Sequence, residues 1–417
     1  MAATLPAYEI RTLENGLEVA AIPLNNGSSV VSVDIFYRVG SRNETLGKSG
    51  IAHMLEHLSF KSTKNLKTGE YDAIVKSIGG VTNASTGFDY THYFIKTSAQ
   101  NLEKPLELFA EMMQNLTLSD EEFQPERNVV AEERRWRTDN NPSGTIFFNL
   151  FNAAYSYHPY HWTPIGFMGD IESWTIEDIR DFYGKWYQPQ NAILIAAGDF
   201  DKELFFSAAQ KHFGKLKNRG ALPKITAIEP EQTGARRVEL RKESEVEFLT
   251  IAWKMPAYDH NDTIYLDAIS SLLTDGQSSR LEEKLVDKLR LANSVSAFTM
   301  ALSDPGLFVI MAVCNDGVSA EKVEKVILDE VALLHKKAAS KREIDKIKTL
   351  ARSEFIRSLE TSDGVAHIFG SYLTRGSLEP LLDYEEKIAK LDGESLQQAA
   401  QKYLASERST TIILRNK

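Results

Sequence analysis

The amino-acid sequence predicts an α+β fold made of two similar halves. Each half opens with stretches that alternate polar and apolar residues, as half-buried strands do, and continues into segments with helical periodicity. The Asn15-Gly16 pair, between the alternating stretches 8–13 and 17–24, is the strongest short-range signal for a β-hairpin. Because the order of strands and helices is similar in the two halves, we expect a duplicated α+β unit.

Length and local composition locate the boundary between the halves. A chain of 417 residues is too long for one ordinary hydrophobic core, so at least two domains are expected. The stretch 215–232 is typical of a loop because it carries one glycine and two prolines. We therefore predict an N-terminal domain at residues 1–217, a linker at 218–236 and a C-terminal domain at 237–417.

The elements predicted by periodicity follow the same general order before and after the linker. In the first half we predict strands at 8–13, 17–24, 30–39 and 192–197, an alternating β stretch at 81–98, and helices at 50–58, 70–78, 102–116, 119–137 and 201–213. In the second half we predict strands within 237–257 and at 294–301, 307–313 and 410–414, with helices at 263–273, 281–289, 320–337 and 341–359.

Composition and charge exclude several classes of function. A net charge of −10 disfavours nucleic acid as a partner, because phosphate binding requires a basic surface. The single cysteine, Cys314, excludes an internal disulfide and a cysteine-based zinc site. No apolar run is long enough to span a membrane. The first residues show no signal peptide, so we expect a cytoplasmic protein, or a periplasmic or secreted one if the chain was trimmed.

The stretch 50–58 predicts a helix with a metal-binding pattern, for which Ser49 can serve as N-cap. His53 and His57 are four residues apart, so their imidazoles can converge on one ion, and Zn²⁺ suits such ligands. Glu56 flanks them and suits a water bound to that zinc. The simpler alternative is that these three residues form a solvated helix face. The opposite, apolar face of the predicted helix consists of Ile51, Met54, Leu55 and Leu58.

A second predicted helix, 119–137, brings two carboxylates onto one face. With Glu126 as reference, Glu133 lies within about 20° around the helix, whereas Glu132 points about 100° away from Glu133. Val129 and Val130 flank this face, so we expect it to point inward. An inward carboxylate is costly unless it binds a metal or is paired. The alternative to a metal site is a pair of carboxylates satisfied by Arg127, Arg134 or Arg135.

Together, the motif His53-x-x-Glu56-His57 and Glu133 resemble the pitrilysin-type inverzincins. That family includes the insulin-degrading enzyme, the mitochondrial processing peptidase and short bacterial relatives. Longer stretches carry the resemblance as well: 50–63 is similar to the zinc helix and its exit, 79–84 to the active-site edge strand, and 126–133 to the helix with the third ligand. Later landmarks are His158-Pro159-Tyr160, Ile165-Gly166 and Gly198-Asp199.

The resemblance implies a fold and a metal site. Each half would be an α/β sandwich, an antiparallel-rich sheet with helices on one side, and the two homologous domains would form a clamshell around a chamber. One Zn²⁺ per chain would be held by His53, His57 and Glu133. Glu56 would be the general base that activates a zinc-bound water. Glu126 would orient a ligand from the second shell, although a structural ion pair is an equal alternative for it.

The same resemblance implies how substrate binds and where the site is incomplete. The strand residues Val81, Thr82, Asn83 and Ala84 would bind a peptide as an added strand. Relatives that work alone carry an Arg and, seven residues later, a Tyr in the second half, which bind the substrate carbonyl. Here Val286 and Asn293 stand at those positions, and Arg290 is four residues out of register. We therefore expect the zinc-bearing member of a heterodimer or larger assembly, in which a homologous subunit supplies the Arg/Tyr clamp, or otherwise a homodimer.

Two other functions remain open at this point. A related chain can be a non-catalytic structural subunit of a larger complex, or a zinc-binding, peptide-carrying chamber without turnover. The intact zinc motif argues against the first of these, and the missing clamp keeps the second open. The histidines His92, His158 and His161 are candidates for further ligands, but we expect them to be structural. The leading prediction is a zinc endopeptidase that acts on peptide substrates.

Overall fold

The computed structural model describes residues 5–417, which fold as two compact units. The first unit takes in the chain up to Glu132 with Trp162–Thr226 and Phe355–Leu378, and the second takes in Glu133–His161, Ala227–Glu354 and Glu379–Lys417. The segments 133–161 and 355–378 thus each fold with the unit built mainly from the other half of the chain, which the sequence did not indicate. The domain boundaries at residues 217 and 237 stay a prediction.

The strands and helices of the described residues are numbered here in chain order. The strands are β1 (Glu9–Thr12), β2 (Glu18–Pro23), β3 (Val30–Tyr37), β4 (Val81–Thr86), β5 (Thr91–Ser98), β6 (Ala192–Gly198), β7 (Arg236–Arg241), β8 (Phe248–Lys254), β9 (Ala292–Met300), β10 (Leu307–Cys314) and β11 (Ser409–Arg415). The helices are α1 (Ile51–Leu58), α2 (Glu70–Ser77), α3 (Glu103–Asn115), α4 (Asp120–Arg134), α5 (Pro142–Ala154), α6 (Met168–Ser173), α7 (Ile176–Trp186), α8 (Lys202–Phe213), α9 (Thr263–Thr274), α10 (Ala320–Lys336), α11 (Lys341–Ser358), α12 (Ser362–Arg375), α13 (Glu379–Leu382), α14 (Tyr384–Lys390) and α15 (Gly393–Tyr403).

The predicted β stretch at 81–98 is confirmed as β structure and consists of the hairpin of β4 and β5. The predicted helix at 281–289 is a π-helical segment, Glu282–Lys288, and a second π-helical segment, Arg135–Asp139, continues α4. Within residues 5–417, no helix has both the length and the hydropathy that crossing a membrane requires.

The two sheets share one topology, which confirms the predicted duplication. The first sheet has the order β1-β2-β6-β3-β5-β4 and the second the order β7-β11-β8-β10-β9. Counting from β2 in the first sheet and β7 in the second, both follow the order first, fifth, second, fourth, third along the chain. In both sheets the first and fifth strands are parallel and the other pairs are antiparallel. The α+β fold with antiparallel-rich sheets is therefore confirmed, and β1 is an addition to the first unit.

In the first unit, one sheet face carries the main core and α12 covers the other. Val31, Val33 and Ile35 of β3 are fully buried in the core formed with α1, α3, α7 and α8. The alternate residues of β3 lie on the opposite face, where α12 packs against β3 and β6. A Cβ on Gly370 of α12 would come within 2.1 Å of the Phe36 ring, so glycine permits this close approach.

The second unit repeats this arrangement with α5 in the position of α12. Leu249, Ile251 and Trp253 of β8 lie in the core formed with helices that include α9, α10 and α15. Helix α5 packs against β8 and β11, the strands equivalent to β3 and β6. Each sheet is therefore completed by a helix from the other half of the chain.

Candidate metal centre

Helix α1 presents the predicted metal-binding residues opposite a buried face. Its apolar stripe is at most 2% exposed, so the packing of α1 on the first core is confirmed. His53, Glu56 and His57 are only partly buried and lie on the other side. This division follows from the spacing of the residues, because the stripe recurs at the helical period.

The N-terminus of α1 is held differently from the prediction, and Ser49 as N-cap is wrong. Gly50 is the N-cap, with φ of 84°, a conformation that favours glycine. The carboxylate of Glu44 accepts hydrogen bonds from the backbone N–H groups of Gly50 (2.8 Å) and Ala52 (2.9 Å). It also accepts one from the Trp162 indole (2.7 Å). Burial raises the pKa of Glu44 to about 8, although these three hydrogen bonds act to lower it.

Helix α4 separates the two adjacent glutamates as its periodicity predicts. Glu132 is exposed and Glu133 is partly buried, with its Oε1 3.1 Å from Nε of Arg137. Val130 is fully buried, but Val129 is 51% exposed. The expectation that the carboxylate face points inward is therefore wrong on the Val129 side. The helix packs on the core through Phe123, Val130 and Ala131, and Val129 lies outside this packed surface.

Three donor groups converge between α1 and the end of α4. One ligand atom from each of His53, His57 and Glu133 lies within 4.8 Å of the other two. Glu133 stands just past the division between the units, but it belongs to the unbroken helix α4, whose preceding residues pack in the first unit. Two imidazoles and a carboxylate are a donor set typical of catalytic zinc sites. The residues present therefore fit a zinc ion.

A network of charged groups orients His57. Its Nδ1 is 2.9 Å from Oε1 of Glu126, and Nζ of Lys61 is 2.6 Å from the other carboxylate oxygen. The hydrogen bond with His57, and next the pairing with Lys61, hold the pKa of Glu126 below its usual value despite partial burial. Glu126 therefore stays ionised and fixes the ring of His57. Lys61 was not singled out in the sequence, since only the fold brings it to Glu126.

Glu56 is tied to the edge strand of the first sheet. The Thr86 hydroxyl, at the end of β4, donates a 2.6 Å hydrogen bond to Oε2 of Glu56. Strand β4 is the last in the sheet order. Its residues alternate in exposure: Val81 (61% exposed) and Asn83 face solvent, whereas Thr82 and Ala84 are partly buried. Strand β4, which contains the four predicted substrate-binding residues, thus ends at the residue that donates to Glu56.

The three other histidines considered as ligands have different partners. Nε2 of His92 is 2.6 Å from Asp34, and Nε2 of His158 is 3.0 Å from Asp304. Nδ1 of His161 donates to the carbonyl oxygen of Tyr155. These contacts agree with the structural roles expected from the sequence.

Comparison with known proteins identifies the family. Residues 19–163 match the family described as Insulinase (Peptidase family M16), and residues 173–350 match the Peptidase M16 inactive domain. The chain is 50% identical over 414 residues to the zinc protease PqqE of Helicobacter pylori, an alignment that covers 99% of this chain and 93% of the relative. The chain belongs to peptidase family M16.

A solved structure and a second curated protein extend the comparison. A crystal structure of a protease from Helicobacter pylori superimposes with a TM-score of 0.97 at 49% identity, covering 99% of this chain and 100% of that one. The mitochondrial-processing peptidase subunit beta of Rattus norvegicus is 26% identical over 412 residues, with 96% of this chain and 83% of the relative covered. The resemblance inferred from the motifs is thus confirmed.

Proposed function

We propose that this chain is a zinc-dependent endopeptidase that cleaves peptides or unfolded polypeptide segments. The observation that carries the proposal is the convergence of His53, His57 and Glu133 beside Glu56. The relative with 50% identity is named a zinc protease, which supports zinc as the metal. A purely structural helix face would have no need for three ligands and a separately held carboxylate.

Each residue of the centre has a distinct role in the proposed reaction. When bound, zinc supplies a Lewis acid and lowers the pKa of a coordinated water towards neutrality. Because Nδ1 of His57 makes the hydrogen bond with Glu126, the Nε2 atom of His57 would be the ligand atom. Glu56 would take a proton from the attacking water and pass it to the leaving amine. Lys61 keeps Glu126 charged and in place.

Strand β4 supports the proposed mode of substrate binding. A peptide added alongside Val81, Thr82, Asn83 and Ala84 would form main-chain hydrogen bonds with the edge of the first sheet. Such bonds do not depend on side chains, so the affinity would vary little with peptide sequence. The strand ends at Thr86, which would bring the bound backbone close to Glu56.

Three variants test the centre directly. We expect Glu133→Gln to lose zinc and Glu132→Gln to retain it, because Glu132 is exposed and points away. Glu56→Gln should keep its zinc and lose about 10²–10⁴ in peptidase rate, the usual effect of removing a general base. Elemental analysis and cleavage of a quenched fluorescent peptide measure the two properties. The assignment would be contradicted if Glu132→Gln lost its metal while Glu133→Gln kept it, or if Glu56→Gln showed full turnover.

We further propose that a homologous subunit completes the substrate clamp. The side chain of Val286 has no hydrogen-bond donor and packs against the second core. Asn293 is exposed on β9 but is shorter than a tyrosine. Arg290, the nearby alternative, is exposed and has a left-handed φ of 51°. Missing donors to a carbonyl oxyanion commonly reduce the rate by about 10²–10³ each.

The subunit proposal is tested with the purified chain. Its mass in solution and its peptidase rate are measured alone and after addition of a homologue that carries an Arg and, seven residues later, a Tyr in its second half. We expect a rate increase of about 10²-fold or more. A matched homologue in which that Arg is replaced by Ala should give little increase. Full activity of this chain alone, unchanged by the homologue, would refute the proposal.

A further inference from the structure

The contact between Thr86 and Glu56 involves a residue that none of the site predictions included. Thr86 is the last residue of β4, and its hydroxyl lies 2.6 Å from Oε2 of Glu56. An ionised carboxylate can only accept hydrogen bonds, so the threonine hydroxyl is the donor. We propose that Thr86 is a positioning residue of the general base and holds the Glu56 carboxylate in one orientation. The inference rests on the proposed peptidase function and deepens it.

A glutamate in a helix needs such a restraint to act as a base. Its side chain has several rotatable bonds, and fixing them loses conformational freedom. A catalytic group must nevertheless be held to within about 0.5 Å of its productive position. Helix α1 fixes only the backbone of Glu56. The hydrogen bond from Thr86 restrains the far end of the side chain, where the proton is transferred.

Thr86 is itself placed by strand pairing within the first sheet. It pairs with Thr91 across the β4–β5 ladder. The buried hydroxyl of Thr91 in turn donates to the carbonyl oxygen of Val39 (2.8 Å). The donor therefore stands on a strand whose register is fixed by its neighbour, not on a loop.

The location of Thr86 also links substrate binding to the base. Thr82, Ala84 and Thr86 lie on the same face of β4, because strand side chains alternate. The Thr82 hydroxyl donates a 2.9 Å hydrogen bond to the carbonyl oxygen of Phe94, whereas the Thr86 hydroxyl donates to Glu56. A peptide that pairs with the edge of β4 would thus stiffen the strand that aims Glu56.

The test compares three variants of the full chain loaded with zinc. Thr86→Val removes the donor at nearly constant shape, and Thr86→Ser keeps a hydroxyl. Thr97→Val is the matched control, since that buried β5 hydroxyl donates to the carbonyl oxygen of Ile78 (2.9 Å). We expect Thr86→Val to lower kcat roughly 10- to 100-fold, as for loss of a hydrogen bond to a charged group, with KM and zinc content unchanged. Thr86→Ser and Thr97→Val should stay within about threefold of the parent in kcat.

A structural readout separates this inference from the peptidase proposal. In crystals of the metal-free variants, we expect several Glu56 side-chain conformers with Thr86→Val and one with Thr86→Ser. Unchanged kcat in Thr86→Val, loss of zinc in that variant, or failure of serine to restore activity would each overturn the positioning role. A parent chain that stays inactive even with the homologous subunit would instead refute the peptidase function, and the Glu56 conformers would still decide the role of Thr86.

Discussion

Replacement of Glu126 should weaken zinc binding without removing a ligand. The carboxylate makes a 2.9 Å hydrogen bond with Nδ1 of His57 and a 2.6 Å contact with Lys61. A hydrogen bond to a charged group is worth about 1.5–3 kcal/mol. Because about 1.4 kcal/mol corresponds to tenfold in affinity, Glu126→Ala should weaken zinc binding roughly 10- to 150-fold. Glu126→Gln should lose less, since its amide oxygen can still accept from His57.

The assay is zinc competition against a chelator of known affinity at fixed pH. Glu122→Gln is the matched control, because Glu122 lies one turn earlier on α4 and accepts hydrogen bonds from Ser62 and Thr68 rather than from a histidine. Its zinc affinity should equal that of the parent chain. The reasoning fails if Glu126→Ala binds zinc as tightly as the parent, or if Glu122→Gln is weakened equally. Either result would assign Glu126 to a structural ion pair.

The remaining predictions concern stability. Gly370→Ala should destabilise the fold by about 1–3 kcal/mol in thermal or denaturant unfolding, because the added Cβ meets the Phe36 ring. Gly184→Ala, with nothing within 4 Å of the new Cβ, is the control and should not destabilise. Burial lowers the pKa of Lys254 to about 6, so its contribution to stability should rise with pH from about 6 towards the usual lysine value, and Lys254→Met should make the pH dependence in this range less steep. Burial also lowers the pKa of His367, so this residue should reduce the stability of the folded state as the pH falls below about 6.5, and His367→Gln should lessen the acid-dependent loss. Unfolding midpoints across a pH series check both effects, and a pH dependence unchanged from the parent in either variant would contradict the burial argument.

The Gly370 prediction concerns α12, a helix from the second half of the chain that packs in the first unit. Helix α12 follows α11 in the second half of the chain but packs on β3 and β6 of the first unit. Strand β3 is flanked in the sheet by β5, which pairs with β4 and so supports Thr86. The first unit therefore depends on α12, which lies far downstream of its other strands and helices, the last of which, α8, ends at Phe213.

The sequence alone determined which residues share a face of a local element. In α1 the helical period puts the apolar stripe on one side and His53, Glu56 and His57 on the other, and the structure agrees. The same period distinguishes the exposed Glu132 from the partly buried Glu133. These results were accessible because 3.6 residues per helical turn is a property of the backbone, independent of the rest of the fold. The duplicated α+β order was readable for a similar reason.

Only the tertiary structure decided which elements meet. The pairing of Glu126 with Lys61, the hydrogen bond from Thr86 to Glu56 and the cap provided by Glu44 all join residues whose separation in sequence carries no periodic signal. The exposure of Val129 was missed because periodicity gives an angle around α4 but not how far the packed surface extends. The exchange of α5 and α12 likewise depends on the path of the chain between the two sheets. Local geometry is dictated by neighbouring residues, whereas these contacts depend on how separate elements pack.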